Sequence, residues 1–179
     1  MGSSNDVLSL AGQLGKFDDS PGQLPPVSDW NPKLSGSMDM LIKKDGGWWH
    51  EGELIKRDKL ARLFSSILKK ENENYFLVTP VEKWQITVED FPFIVSLAEV
   101  EVVQGKQKIK LMTNMGDSVE LNAKNMIKLD ETGLPLVEIR SGLNARFHRN
   151  VYYQLAELSN ENELGEFMIE SGGEAHKLG

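Results

Sequence analysis

The segment from Trp84 to Glu89 alternates apolar and polar residues with a period of two, the signature of a half-buried strand. Trp84, Ile86 and Val88 share one face, and Gln85, Thr87 and Glu89 share the other. Short pieces of this kind recur along the chain and are closed by turns built on glycine. "DMLIKK" and "WWHEG" flank an Asp-Gly turn, and "FIVSLAEVEVV" and "KQKIKLMTN" flank Gln-Gly-Lys. "SVEL", "MIKLD", "LPLVEIR" and "LNARFH" add further strands, with "ETG" as a turn. A chain punctuated in this way folds mainly as antiparallel sheet.

Helical spacing interrupts the pattern in three places. Leu60, Leu63, Phe64, Ile67 and Leu68 form an apolar stripe behind a cap at Asp58, and Lys69 and Lys70 suit the negative end of the helix dipole. Val7, Leu10, Ala11 and Leu14 follow Asn5 and Asp6 in a shorter helix that docks on its own chain or on a partner. Val151, Tyr152, Leu155 and Leu158 fit a last one. The fold class is therefore α+β. "DSPGQLPPVSDWNPKLSGS" reads as an extended arm, and the acidic, Gly-rich end as a loose tail.

The two halves resemble one another. "HEGELIKRDKL" parallels "NMGDSVELNAK", and "YFLVTPVEKWQITVED" has the shape of "PLVEIRSGLNARFHRN". The reading is a duplication with its boundary near Phe91 to Phe93. It gives an N-terminal helix and arm over residues 1–37, a first domain over 38–92, a second over 93–160 and a tail over 161–179.

Composition excludes several classes of function. A net charge of -7 opposes general nucleic-acid binding, which needs a basic footprint. With no cysteine there is no disulfide, thiolate metal site or cysteine nucleophile. No apolar run is long enough to span a bilayer, and the first residues lack the pattern of a signal peptide, so a cytoplasmic location is expected. Phosphate-binding glycine loops, the GxSxG elbow, HExxH and calcium-loop spacing are all missing. His50, His148 and His176 are too far apart in sequence for a close ligand pair, so no metal or cofactor is expected.

Two clusters still carry chemistry. In "GGWWHEGELIKR", one of Trp48 and Trp49 faces inward and the other lines a surface or cleft, free to stack on a ligand. His50 bonds to backbone at a strand end, and it points away from Glu51 as strand neighbours do. Arg57 is unhelpful to the helix behind it and serves a contact elsewhere. In "VEIRSGLNARFHRN", strand alternation puts Arg140, Asn144, Arg146 and His148 on one outer face, a patch suited to phosphate or carboxylate. Thr79, Glu82 and Lys83 gather where Pro80 bends the chain.

Between Ser28 and Leu158 the combination of "DMLIKKDGGWWHEG", "LARLFSSIL", "YFLVTPVEKWQITVED" and "GLNARFHR" resembles the bacterial DUF1285 family. The resemblance implies two related α+β domains, the second a pleckstrin-homology-like bent sheet or partial barrel closed by a C-terminal helix. It implies a pocket for a nucleotide-like ligand at the domain interface and a role in signal transduction, with no enzymatic activity to carry over. By motif it marks Trp49, His50, Arg57, Thr79, Pro80, Glu82, Lys83, Arg140, Gly142, Arg146 and Arg149. The expected function is a non-enzymatic sensor that binds a small anionic ligand and reports it to a signalling partner. The alternative is a protein-interaction module that uses the aromatic cluster and the N-terminal helix. A hydrolase or transferase would require His50 or His148 within hydrogen-bond reach of a carboxylate in a cleft.

Overall fold

Leu10 and Phe64 from helices and Phe93 from a strand are each without solvent exposure in a computed structural model that describes residues 4–15 and 23–179. The chain is mostly sheet with three helices among the described residues, and one sheet curls into a half-barrel. It divides into two compact units, Met1–Pro92 and Phe93–Gly179.

In the first unit β1 (Gly36–Ile42), β2 (Trp48–His50) and β3 (Glu53–Leu54) form an antiparallel meander. Helix α1 (Ser4–Leu14) precedes it and α2 (Asp58–Ser66) follows it. A second meander then runs through β4 (Leu68–Glu71), β5 (Asn74–Val78) and β6 (Lys83–Val88). β6 returns parallel to β1, so the sheet order is β3-β2-β1-β6-β5-β4. Trp48 is 1% exposed and stacks on Phe64 of α2 at 6.4 Å, which joins the helix stripe to the sheet.

α2 is shorter than its apolar stripe. It ends at Ser66, and Leu68 opens β4 opposite Leu77. Lys69 and Lys70 therefore stand on a strand, and the Lys69 ammonium donates to Trp30 O at 2.9 Å. Strand pairing captured residues whose 3.6 period also fits a helix, as tertiary context often does. The cap also moves by one residue. Arg57 holds the N-cap position without a side-chain bond, and Asp58 lies in the first turn, where its charge still suits the dipole.

α1 buries Val7, Leu10 and Leu14 within its own unit, where it packs on α2, and Gln13 donates to Glu82 at 2.9 Å. Of the expected arm, residues 16–22 lie outside the described residues, as does the side chain of Asn5 expected at the helix cap. The rest of the arm includes a single 3-10 turn at Val27–Asp29 and joins the sheet through Ser35 N to Lys83 O.

The second unit repeats the strand order of the first. A meander of β7 (Phe93–Val103), β8 (Lys106–Thr113) and β9 (Ser118–Glu120) is followed by one of β10 (Ile127–Leu129), β11 (Pro135–Arg140) and β12 (Leu143–Phe147). β12 runs parallel to β7, and the order is β9-β8-β7-β12-β11-β10. The segments matched by sequence fall at matching places, β5–β6 against β11–β12 and the β2–β3 turn against the β8–β9 turn. The helices differ: α2 lies between the two meanders of its unit, whereas α3 (Arg149–Glu157) follows both in the second.

α3 is not the last element, and the segment after it is not a loose tail. β13 (Asn160–Glu161), β14 (Phe167–Ser171) and β15 (Glu174–Lys177) form an antiparallel sheet, in which Ile169, Ser171, His176 and Leu178 are fully buried. Ser171 Oγ donates to Leu121 O at 2.8 Å and accepts from Ile109 N at 2.9 Å, which ties β14 to the larger sheet. Gly172 follows with φ +62°, and a Cβ there would meet Leu121 O at 2.9 Å, so no other residue fits without displacing backbone.

Candidate functional site

Trp49 and His50 occupy adjacent, oppositely facing positions on β2, and the structure separates their roles. Trp48 faces the core, and Trp49 lies on the outer side with Lys43 Nζ 3.7 Å from its ring centroid. A stacking ligand would have to displace that lysine, at a cost of only about 0.5–1 kcal/mol for an exposed cation–π contact. His50 Nδ1 meets Asp39 O at 2.9 Å, the backbone bond expected of a strand-end histidine. Glu51 is not turned away from it, however. Glu51 sits in the β2–β3 turn with φ 49°, which brings its Oε2 to 3.8 Å from His50 Nε2, still beyond hydrogen-bond reach.

The residues around Pro80 are used by the fold. Thr79 is fully buried, and its Oγ1 accepts from Val81 N and Glu82 N at 3.3 and 3.0 Å, closing the turn between β5 and β6. Glu82 holds α1 through Gln13. Lys83 pairs with Glu71 and lies 4.4 Å from the Phe76 ring centroid, and that pairing holds the Glu71 carboxyl below its usual range. Arg57 is exposed and makes no ion pair among the described residues.

The expected basic patch of the second unit does not form. The register of β11 against β12 runs Glu138↔Asn144 and then Arg140↔Leu143, so a bulge inserts one residue before Arg140. One extra residue moves a side chain to the opposite face of the sheet. Arg140 therefore lies with Leu143, its guanidinium 4.9 Å from the Phe93 ring centroid and its Nη1 paired to Asp117. Asn144 and Arg146 remain on the other face.

Arg146 Nη1 is 2.8 Å from Asp130 Oδ2. Asp130 also accepts from Thr132 Oγ1, Thr132 N and Leu134 N, and these bonds, the Thr132 hydroxyl first, hold its carboxyl well below the usual range. His148 caps α3 by accepting from Asn150 N at 3.3 Å, and Arg149 donates to Tyr153 OH at 3.3 Å. Gly142 takes φ 78° after Ser141 at 46° in the β11–β12 turn, and its N donates to Glu138 Oε1. Each of these arginines has a structural employment that sequence alone does not reveal.

A concave site exists beside Arg140. Lys124, Asn125, Met126, Lys128, Glu138, Ile139, Arg140 and Ser141 line a groove of about 290 Å³ along β10, β11 and the loop before β10. Asn122 Oδ1 accepts from Lys124 N and Asn125 N, which shapes that loop. Two lysines, one arginine and one glutamate are among the lining residues, and Lys128 Nζ lies 3.9 Å from Glu138 Oε2. Of these residues the sequence pattern singles out Arg140 alone. The other lining residues could have been read from the asparagines and lysines spaced through "NAKNMIK" before a strand. Among the described residues no group of three or more His, Asp or Glu could hold a metal ion, and no helix is long and apolar enough to cross a membrane.

Comparison with known proteins follows the same division of the chain. Residues 25–91 match the family model "Domain of unknown function (DUF1285), N-terminal domain", and residues 92–178 match "Protein of unknown function (DUF1285), C-terminal domain". The chain belongs to the DUF1285 family. A crystal structure of a DUF1285 family protein from Silicibacter pomeroyi DSS-3 is 37% identical, with a TM-score of 0.82 over 94% of this chain and 93% of that one. Another, from Shewanella baltica OS155, is 28% identical with a TM-score of 0.53 over 67% of this chain and 91% of that one. No curated protein matches. The second family domain includes the C-terminal sheet β13–β15, which belongs with the family fold.

Proposed function

We propose that this DUF1285 protein is a non-enzymatic sensor that binds a small anionic, nucleotide-like ligand in the groove of its second unit and reports it to a partner in cytoplasmic signalling. The observation that carries this reading is the groove lined by Lys124, Lys128 and Arg140 in a chain of net charge -7. Such a local concentration of cations attracts anions against the overall field. The exposed Lys128–Glu138 pair is worth about 0–1 kcal/mol, so an anion can take the lysine from it. The two lysines are the cations offered to phosphate oxygens, since the Arg140 guanidinium is engaged by Asp117 and Phe93. A pleckstrin-homology-like relation for this unit belongs to the same proposal, supported by a sheet followed by α3.

Thermal-shift and calorimetric screening against nucleoside mono-, di- and triphosphates tests the reading. Stabilisation is expected, and Lys124→Ala combined with Lys128→Ala removes it, whereas Arg57→Ala in the other unit leaves it intact. No response across the panel, or a response that survives the double substitution, refutes the site. The protein-interaction alternative without a ligand has lost one support, because the apolar side of α1 is buried in its own unit.

A further inference from the structure

β7 is the longest strand among the described residues, and it is paired on both sides over only part of its length. β12 covers Phe93–Val95 alone. His148 N then donates to Val95 O, and the Gln154 side chain donates to Ala98 O at 3.1 Å. Beyond that point β8 continues along one side, with Glu99↔Lys110, Glu101↔Lys108 and Val103↔Lys106 in register.

The hydrogen bonds of β8 identify which groups of β7 are left open. Thr113 N, Ile109 N, Ile109 O and Gln107 O all bond away from β7, to Asp117, Ser171, Leu121 and Gly172. In an antiparallel ladder the alternate residues, Lys110, Lys108 and Lys106, therefore bond to Glu99, Glu101 and Val103. The backbone groups of Val100 and Val102 point to the far side, where no bond among the described residues meets them. Val102 is 70% exposed and Val103 39%.

Charge says what fits there. Across one face the register reads Glu120, Lys110, Glu99, and in the next row Lys108, Glu101. The sign alternates from strand to strand and ends on acids at the open edge. Opposite charges directly across strands stabilise a pair and like charges destabilise it. The next strand of this series is basic. On the other face it would meet Val100 and Val102.

We propose that the edge of β7 from Val100 to Val103 is a strand-addition site for an extended partner segment that alternates Lys or Arg with apolar residues. Main-chain bonds to Val100 and Val102 supply the pairing, and Glu99 and Glu101 select the basic side chains. A second copy of the chain is a poor occupant, since antiparallel pairing about Val100 would set Glu99 against Glu101.

The test uses the full chain and three fluorescein-labelled eight-residue peptides, read by anisotropy. One alternates lysine and valine, one has the same composition in two blocks, and one alternates glutamate and valine. The alternating lysine peptide should bind at least about tenfold more tightly than the block peptide. Val102→Pro removes one outward N–H at an edge that tolerates proline, and should weaken binding about tenfold with the melting transition retained. Glu99→Lys with Glu101→Lys should transfer preference to the glutamate peptide, which decides the matter even if the proline variant does not fold. Equal binding of the block peptide, unchanged preference after charge reversal, or absence of binding would overturn the proposal. So would a dimer of the wild-type chain, seen by sedimentation, that Val102→Pro abolishes.

Discussion

His176 is the residue whose environment departs furthest from what its neighbours in sequence imply. It lies in a Gly-rich, acidic stretch, yet it is fully buried, with Nε2 3.2 Å from Ser171 O. Burial pushes its pKa below the usual 6.5, although Ser171 and Glu174 act in the opposite sense. Below that pH the unfolded chain takes up a proton that the folded one refuses, so stability falls as pH drops from about 6.5 towards the lower folded value. The slope reaches about 1.4 kcal/mol per pH unit at most. Urea titrations between pH 7.5 and 5 should show this loss, and His176→Gln should flatten it. Glu71, Asp130 and Glu166 act in a separate window. Their folded pKa values are lowered, so their contribution is present above about pH 4.5 and is lost as pH falls through the folded values. At this scale alternation tells that one of Trp48 and Trp49 faces inward, and the packing of Trp48 on Phe64 decides which. The reversal of Arg140 does not follow from alternation, because a one-residue bulge leaves no trace in an apolar pattern.

Strands and turns were the most legible elements, since glycine turns and period two mark them directly. Boundaries set by competition were less so: Leu68 satisfies both the stripe of α2 and the ladder of β4, and pairing with Leu77 decides. The C-terminal sheet was missed because its acidic composition hides a core of Ile169, Ser171 and Leu178. Removing residues 160–179 should therefore be costly. Burial of two aliphatic side chains is worth about 3–6 kcal/mol, a large share of the 5–15 kcal/mol stability of a typical domain. The truncated chain should lose the protected amide of Ile109, whose partner is Ser171 Oγ, in hydrogen exchange, while those of β5 and β6 persist. Retained protection at Ile109 would show that β14 contributes little.

For the whole chain, the two units share one strand order, as the weak sequence resemblance of the halves anticipates, and each encloses its own core. Residues 93–179 expressed alone should give a cooperative thermal transition and dispersed amide spectra; a molten, non-cooperative chain would contradict that independence. The sequence by itself determined the sheet-rich class, the two-part division, the family and the main turns, because these depend on local period and on glycine. Only the tertiary structure decided which charges are engaged. Arg140 meets Asp117, Arg146 meets Asp130 and Lys83 meets Glu71 across 23, 16 and 12 positions of chain. An ion pair between distant strands depends on register and bulges, which no local pattern encodes. The same register leaves the groove beside Lys124 and the edge at Val100 as the surfaces on which function is to be sought.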